Sequence, residues 1–197
     1  MMMTLRPLAA AFALSLGACA ELNPPTLHLL PTAPVHAAAT DSAVAREQIA
    51  LSRIALPDYA EDSAIAYLTG ATTVARSVDE RWADPLARTA TAALAGALTA
   101  RTGALVLAEP WPPEFDPTLR IDVLVDQFVG ALGGPVTLSG EVRVADARMR
   151  GLAVVRRFDI AAPSGGDGFD GVARAHADAV ARLADEIAAA LEARYGG

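Results

Sequence analysis

The chain has 197 residues, a formal charge of −7 at pH 7 and one cysteine. The negative charge argues against nucleic-acid binding and against electrostatic adhesion to anionic lipid, and a single cysteine excludes an internal disulfide. About 180 residues remain after the N-terminal signal described next, which is enough for one domain with a substantial core.

The first residues have the order of a secretory signal. Arg6 is the only charged side chain of residues 1–18. An uncharged stretch rich in alanine and leucine follows over 8–16, and residues 16–19 read Leu-Gly-Ala-Cys. A membrane-spanning helix needs about 20 apolar residues, and this stretch is much shorter. A cleaved signal peptide over 1–18 is therefore predicted.

Cys19 is the predicted lipid-attachment residue. The run 16–19 resembles the lipobox of bacterial lipoproteins, in which diacylglycerol is joined to the cysteine sulfur and an acyl chain to the new amino terminus. Each buried methylene contributes about 0.8 kcal/mol, so three acyl chains would hold the protein on a membrane essentially permanently. Ala20, where aspartate would favour retention at the inner membrane, points to the periplasmic face of the outer membrane. The alternative is that Cys19 is an incidental residue of an ordinary cleaved signal.

Residues 19–26 are interpreted as a lipidated tether, and a single domain is expected over 27–197. In its first half, short apolar runs predict strands. The sequence Ser-Val-Asp-Glu over 77–80 has the form of a capping box, in which the first side chain accepts from the amide of the fourth residue, and predicts the start of a helix. Gly103 ends that helix. The predicted elements are strands over 27–30, 48–56, 65–68 and 72–75, and a helix from 77 to about 101.

The second half predicts further strands and a final helix. A strand over 105–108 leads into a Pro-rich turn over 110–113. The next strands are joined by connections too short for crossovers, which predicts antiparallel pairing. A helical apolar stripe then predicts a last helix. The fold class is therefore α+β, a mostly antiparallel sheet with two long helices packed on one face. These later elements are strands over 119–128, 136–145 and 152–160 and a helix over about 169–194.

The sequence contains no recognisable catalytic or metal-binding motif. It has neither a Gly-x-Ser-x-Gly elbow nor a His-Glu-x-x-His pattern. Its three histidines, His28, His36 and His176, are far apart in sequence, and His176 on an apolar stripe is expected to be a packed core residue. The Gly-rich loop 164–168 lacks the lysine of a phosphate-binding loop, so a flexible connection is favoured over phosphate binding. No catalytic residue, metal or cofactor is expected.

Tyr59, Trp82 and Trp111 are candidate partner-interface residues. Tyrosine and tryptophan are enriched among the side chains that carry binding energy at protein interfaces. For the two tryptophans, the alternative is an anchor in the core or in a turn. Asp79 and Glu80 invite an acid–base interpretation, but at the predicted helix start they are better explained as dipole partners and cap.

Several runs in order carry a family resemblance. Residues 54–59 read Ile-Ala-Leu-Pro-Asp-Tyr, and residues 79–86 read Asp-Glu-Arg-Trp-Ala-Asp-Pro-Leu. They are followed by the predicted strand from Arg120 to Phe128 and by the Ala-His step at 175–176. Together they resemble the ABC-type transport auxiliary lipoprotein family, which includes the paraquat-inducible protein C lipoproteins. His28 stands where that family usually has an aromatic residue in its first strand.

The resemblance implies a non-enzymatic accessory role beside MCE-type (mammalian cell entry) ABC transport systems, which move phospholipid or other lipid between the two membranes. The implied partners are the periplasmic tunnel protein and its ABC transporter, with the chain docking the tunnel at the outer membrane as a ring of copies. One alternative is a periplasmic carrier that holds a lipid or small molecule between the helices and the sheet. Another is a periplasmic hydrolase.

Overall fold

The computed structural model describes residues 24–32, 42–148 and 151–196. The predicted signal peptide, Cys19 and His36 lie outside these residues. The described part contains eight strands and three α-helices, with a 3-10 helix at Ala43–Arg46. In chain order they are β1 Thr26–His28, β2 Gln48–Leu51, α1 Asp58–Glu61, β3 Ala64–Leu68, β4 Val74–Trp82, α2 Leu86–Thr102, β5 Leu105–Ala108, β6 Leu119–Gly130, β7 Val136–Asp146, β8 Leu152–Ala162 and α3 Gly168–Tyr195.

The strands form two sheets, one of five strands in the order β5-β2-β6-β7-β8 and one of three in the order β1-β4-β3. The pairs β6–β7 and β7–β8 are antiparallel, as their short connections predict. The strand β2 is parallel to both β5 and β6, and β1 is parallel to β4. The α+β class with two long helices is confirmed, although the strands divide between two sheets.

The two long helices, α2 and α3, pack on each other and on the five-stranded sheet. In β6 every second residue from Leu119 to Val125 is apolar, the pattern of a half-buried strand, and all four of these residues, Leu119, Ile121, Val123 and Val125, are buried. The predicted stripe of α3 is confirmed as well. Its buried members include Val172, His176, Ala179, Val180, Leu183, Ile187 and Leu191.

The predicted helix start at residue 77 is wrong, because β4 continues to Trp82 and α2 begins only at Leu86. Pro85 explains the late start. A proline disfavours the helical conformation of the residue before it and is tolerated only near the first turn of a helix. The residues before it instead find backbone partners on β1 and β3. The helix does end at Gly103 as predicted, with a left-handed φ of 71°.

One hydrogen bond of the predicted capping box is nevertheless present. The Glu80 amide donates to the Ser77 hydroxyl oxygen at 3.0 Å. It lies within β4, where the register between β3 and β4 shifts between Ala64 and Ala66. The hydrogen bond that the capping box predicts is therefore formed at an irregular position of a strand, and not at the start of a helix. The carboxylate of Glu80 has a different partner, described below.

We predict that Gly140→Ala destabilises the fold. Gly140 lies in β7 at a register shift, and a Cβ there would collide with the Leu124 carbonyl oxygen and lie 2.9 Å from Cζ of Phe158. Overpacking of this kind costs about 2–3 kcal/mol. Chemical denaturation should show that loss of unfolding free energy.

The matched control is Gly70→Ala, where the nearest atom to the added carbon, Oγ1 of Thr73, lies at an ordinary 3.6 Å. Its unfolding free energy should stay within about 0.5 kcal/mol of the wild-type value. Equal stability of the two variants would contradict the close packing of β7 between β6 and β8.

Candidate functional site

His176, more deeply buried than the other described histidine, His28, is a packing residue at the centre of the fold. Its ring lies 5.2 Å from that of Trp82 and 4.4 Å from that of Phe128, measured between centroids. Its Nδ1 donates to the carbonyl oxygen of Val172 at 2.8 Å. Burial lowers the pKa of His176 from 6.5 to about 4, although hydrogen bonds to backbone at Val172 and Phe128 oppose the shift. The imidazole is therefore neutral near pH 7. It is also closed off from solvent, and its place in the core is the one that the sequence predicts.

The three candidate interface residues have different surroundings. Trp82 is only 5% exposed. Tyr59 is half-buried, and its hydroxyl oxygen accepts the Phe128 amide at 2.9 Å. Burial raises the pKa of Tyr59, and the hydrogen bond from Phe128 partly offsets that shift. Both side chains thus meet the core around Phe128, and an interface role for them stays a prediction.

Trp111 lies elsewhere. It is half-buried in the turn between β5 and β6, and the guanidinium of Arg120 stands 5.9 Å from its ring centroid. Arg120 precedes Phe128 on β6 by eight residues, a distance of about 26 Å along an extended strand. The structure therefore does not bring the three candidates into one patch. Among them, Trp111 presents an aromatic ring with a cation at the surface.

The first strand carries a charge cluster that the sequence did not predict. Nε2 of His28 lies 2.6 Å from Oε2 of Glu80, and Nδ1 lies 3.1 Å from Oδ1 of Asp170. The Phe169 ring lies 6.3 Å from the imidazole. Glu80 is thus a partner of β1 and not a helix cap. His28 and Glu80 are 52 positions apart, so no local sequence pattern indicates their contact.

A shallow groove of about 520 Å³ lies between α2 and α3. Small side chains allow the two helices to approach closely. At its edge, Arg101 of α2 donates to the carbonyl oxygen of Ala181 at 3.0 Å and pairs with Asp185 of α3. The lining consists of Pro31, Thr32, Ala92, Ala93, Gly96, Ala97, Ala100, Arg101, Ala177, Asp178, Val180 and Ala181.

Two negative findings apply to residues 24–32, 42–148 and 151–196. No group of three or more histidine, cysteine, aspartate or glutamate side chains there is arranged to hold a metal ion. None of the helices in those ranges combines the length and apolarity that crossing a membrane requires.

The buried Thr91 and Thr102 hydroxyls donate to carbonyl oxygens of their own helix.

The chain is similar to a known family and to several solved structures. A family model described as ABC-type transport auxiliary lipoprotein component matches residues 28–188. The comparison with curated proteins gave no match. A crystal structure of an uncharacterised protein shares 22% identity and a TM-score of 0.69, with 86% of this chain and 99% of the other covered.

A Xanthomonas campestris protein of the DUF330 family shares 15% identity and a TM-score of 0.66, covering 83% of this chain and 92% of its own. A PelC dodecamer from Paraburkholderia phytofirmans is less similar, with 12% identity, 78% and 90% coverage and a TM-score of 0.44. At such low identity, the first two likenesses show a shared fold and nothing about activity.

We predict that His176 makes the protein less stable in mild acid. With a folded-state pKa of about 4 and an unfolded value near 6.5, the unfolded chain binds the proton first as the pH falls below 6.5. The resulting loss of unfolding free energy between pH 7 and pH 4.5 is about 2 kcal/mol from this group. Denaturation of wild type and His176→Leu at both pH values measures it.

Wild type and variant contain the same carboxylates, so the effect of carboxylate titration on the unfolding free energy cancels when the two proteins are compared. His176→Leu should lose about 2 kcal/mol less than wild type over this interval. The same acid-induced change in both proteins would show that His176 does not remain neutral in the folded state.

Proposed function

The chain belongs to the ABC-type transport auxiliary lipoprotein family, and on that premise we propose that it is a non-enzymatic subunit that docks a transport system for lipid at the outer membrane. The observation that carries this proposal is the family match over residues 28–188. It covers nearly all of the domain and begins within ten residues of Cys19. The transport system would be of the MCE type, with a periplasmic tunnel protein and its ABC transporter as partners.

The proposed attachment to the membrane is lipid on Cys19. Signal peptidase would remove residues 1–18, leaving a mature chain that begins with the acylated cysteine. Residues 20–26 would then be the tether, at about 3.3 Å per extended residue, and 27–197 the single folded domain. Ala20 supports the periplasmic face of the outer membrane over the inner membrane.

Docking would be mechanical, with the folded domain gripping the tunnel protein while the lipid holds its other end. Trp111 and Arg120 are the side chains best placed for this contact, because the half-buried ring of the Pro-rich turn lies beside the guanidinium of Arg120, at the start of β6. Tryptophan and arginine are the residue types most enriched in interface hot spots. Several copies in a ring would present this turn repeatedly around one tunnel.

A non-enzymatic role agrees with the hydrogen bonds that three buried polar side chains of the core make. The His176 nitrogen, Thr91 hydroxyl and Thr102 hydroxyl all bond to backbone carbonyl oxygens. Each is therefore engaged in holding the fold. Groups that bind or transform a substrate would instead converge on a cleft.

The groove between α2 and α3 supports one other candidate function, a carrier of lipid or a small apolar molecule. Its volume of about 520 Å³ lies within the range of about 300–1,000 Å³ that is usual for ligand sites. Its alanine-rich lining would suit an acyl chain. Stoichiometric lipid in the protein purified from envelopes, displaced by Ala97→Phe, would favour the carrier over the docking subunit.

We predict that Cys19→Ala abolishes membrane residence and leaves the fold unchanged. The acyl chains would be the main contact with the bilayer, and Cys19 lies outside the family-matched region. After fractionation, the variant should appear in the soluble fraction, with a wild-type unfolding curve. Mass spectrometry of the wild type should find an acylated amino terminus at Cys19. A variant that has lost residues 1–18 and still fractionates with membranes at high salt would refute lipid anchoring.

We predict that Trp111→Ala weakens capture of the tunnel protein. Removal of an interface tryptophan commonly costs more than about 2 kcal/mol of binding free energy, or a factor of about 30 in affinity. The measurement is co-purification of the tunnel protein with the tagged lipoprotein from detergent-solubilised envelopes. Trp111→Phe should retain part of the capture.

Leu152→Ala is the control, because it removes an apolar side chain that is 66% accessible from a different place, the edge strand β8. Its capture should match wild type. Equal capture by Trp111→Ala and wild type would remove this turn from the docking surface.

A further inference from the structure

We propose that the outer side of β1, together with Leu29 directly after it, is a membrane-contact surface, in which Leu27 and Leu29 rest in the interface of the phospholipid bilayer. The inference rests on the proposed lipid anchor at Cys19 and goes beyond it. It assigns a second, non-covalent contact with the bilayer to the folded domain. We call Leu27 and Leu29, together with the neighbouring Arg81, the β1 surface.

The direction of these side chains is fixed by their neighbours. Successive residues of a strand point to opposite faces, and His28 between the two leucines is turned inward and held by Glu80 and Asp170. The following Leu30 is buried at 7% exposure. Leu27 and Leu29 are consequently held outward, with exposures of 61% and 70%. If the pairing of β1 with β4 shifted by one residue, the two leucines would be turned inward, but the two contacts of His28 would be lost.

Exposed apolar side chains are frequent on the three-stranded sheet that contains this strand. Eight large apolar side chains are exposed in the described part of the chain, and four of them lie on or directly beside the three-stranded sheet. Val78 is two positions before Glu80, the register partner of Thr26, so it lies near the point where the tether enters β1. The four are Leu27, Leu29, Val74 and Val78.

The position of these side chains in the chain identifies the bilayer as the partner. Leu27 follows Cys19 by eight residues, so its α-carbon can lie no further than about 28 Å from that of the acylated cysteine. Joining two contacts through a link this short gives an effective concentration in the millimolar range. Even a weak affinity of two leucines for the interface would therefore keep the β1 surface in contact with lipid for much of the time.

Arg81 supplies the polar part of this surface. It is the register partner of Leu27 on β4, so the two side chains share one face of the sheet. Its guanidinium donates to the Ser63 hydroxyl at 3.2 Å, and no carboxylate pairs with it among the ion pairs of the described residues. A guanidinium beside leucines suits the phosphate of a phospholipid headgroup. The net charge of −7 makes apolar insertion, and not attraction to anionic lipid, the main contribution.

The test uses the full lipidated chain in vesicles of phosphatidylcholine. Acylation occupies the sulfur of Cys19, so an introduced cysteine is the only free thiol available to a fluorescent label. Labels are placed at Leu29→Cys, at Leu27→Cys as an independent second position, and at Leu152→Cys as a control. Positions 29 and 152 are matched in exposure, at 70% and 66%. Quenching is measured with lipids brominated near the headgroup end of their acyl chains.

Labels at 27 and 29 should lose about half or more of their fluorescence, because interfacial side chains reach about 5–10 Å into the headgroup–acyl boundary. The label at 152 should be unaffected. All three proteins should unfold like wild type, since the altered side chains are exposed. Flotation with the vesicles and mass spectrometry of Cys19 verify the anchor independently.

The outcomes separate the two proposals. Flotation with equal, weak quenching at 27, 29 and 152 would overturn the membrane-contact surface and leave the anchor intact. A chain that carries no lipid on Cys19 and does not float would overturn the anchor, and this inference with it.

Discussion

The packing of α3 holds the two sheets of this protein together. Around its first turns, Phe169 meets the edge of Tyr67 from the three-stranded sheet, and His176 lies between Trp82 and Phe128. Further along, its apolar stripe covers the five-stranded sheet. With no disulfide available to the single cysteine, stability has to come from this apolar burial. The exposed ion pairs of the surface add little.

A closed core leaves the outside of the domain for function. The groove between α2 and α3, the turn with Trp111, and the β1 surface are separate features of that exterior. The double contact of His28 has a clear structural use. It fixes the orientation of the strand that directly follows the tether, so the folded domain is joined to the proposed anchor by an ordered element.

Elements with strong local patterns were predictable. The apolar alternation of β6 and β7, the short joins from β6 to β8 and the long stripe of α3 are each carried within one segment of sequence, and the structure confirms them. The predicted helix start at Ser77 failed because a capping box specifies only a few local hydrogen bonds. Pairing with β1 and β3, together with Pro85, outweighed it.

By itself, the sequence determined the α+β class, the family and the candidate signal with its cysteine, since each depends on residue order along a short stretch. It also indicated that His176 belongs to the core, because the period of a helix places that residue among apolar neighbours. Only the tertiary structure decided that β2 runs parallel to β5 and β6, that Glu80 and Asp170 meet His28, and that Trp111 stands apart from Tyr59 and Trp82. Those contacts join residues far apart in the chain, and their partners are chosen by the packing of whole elements, which no local pattern encodes.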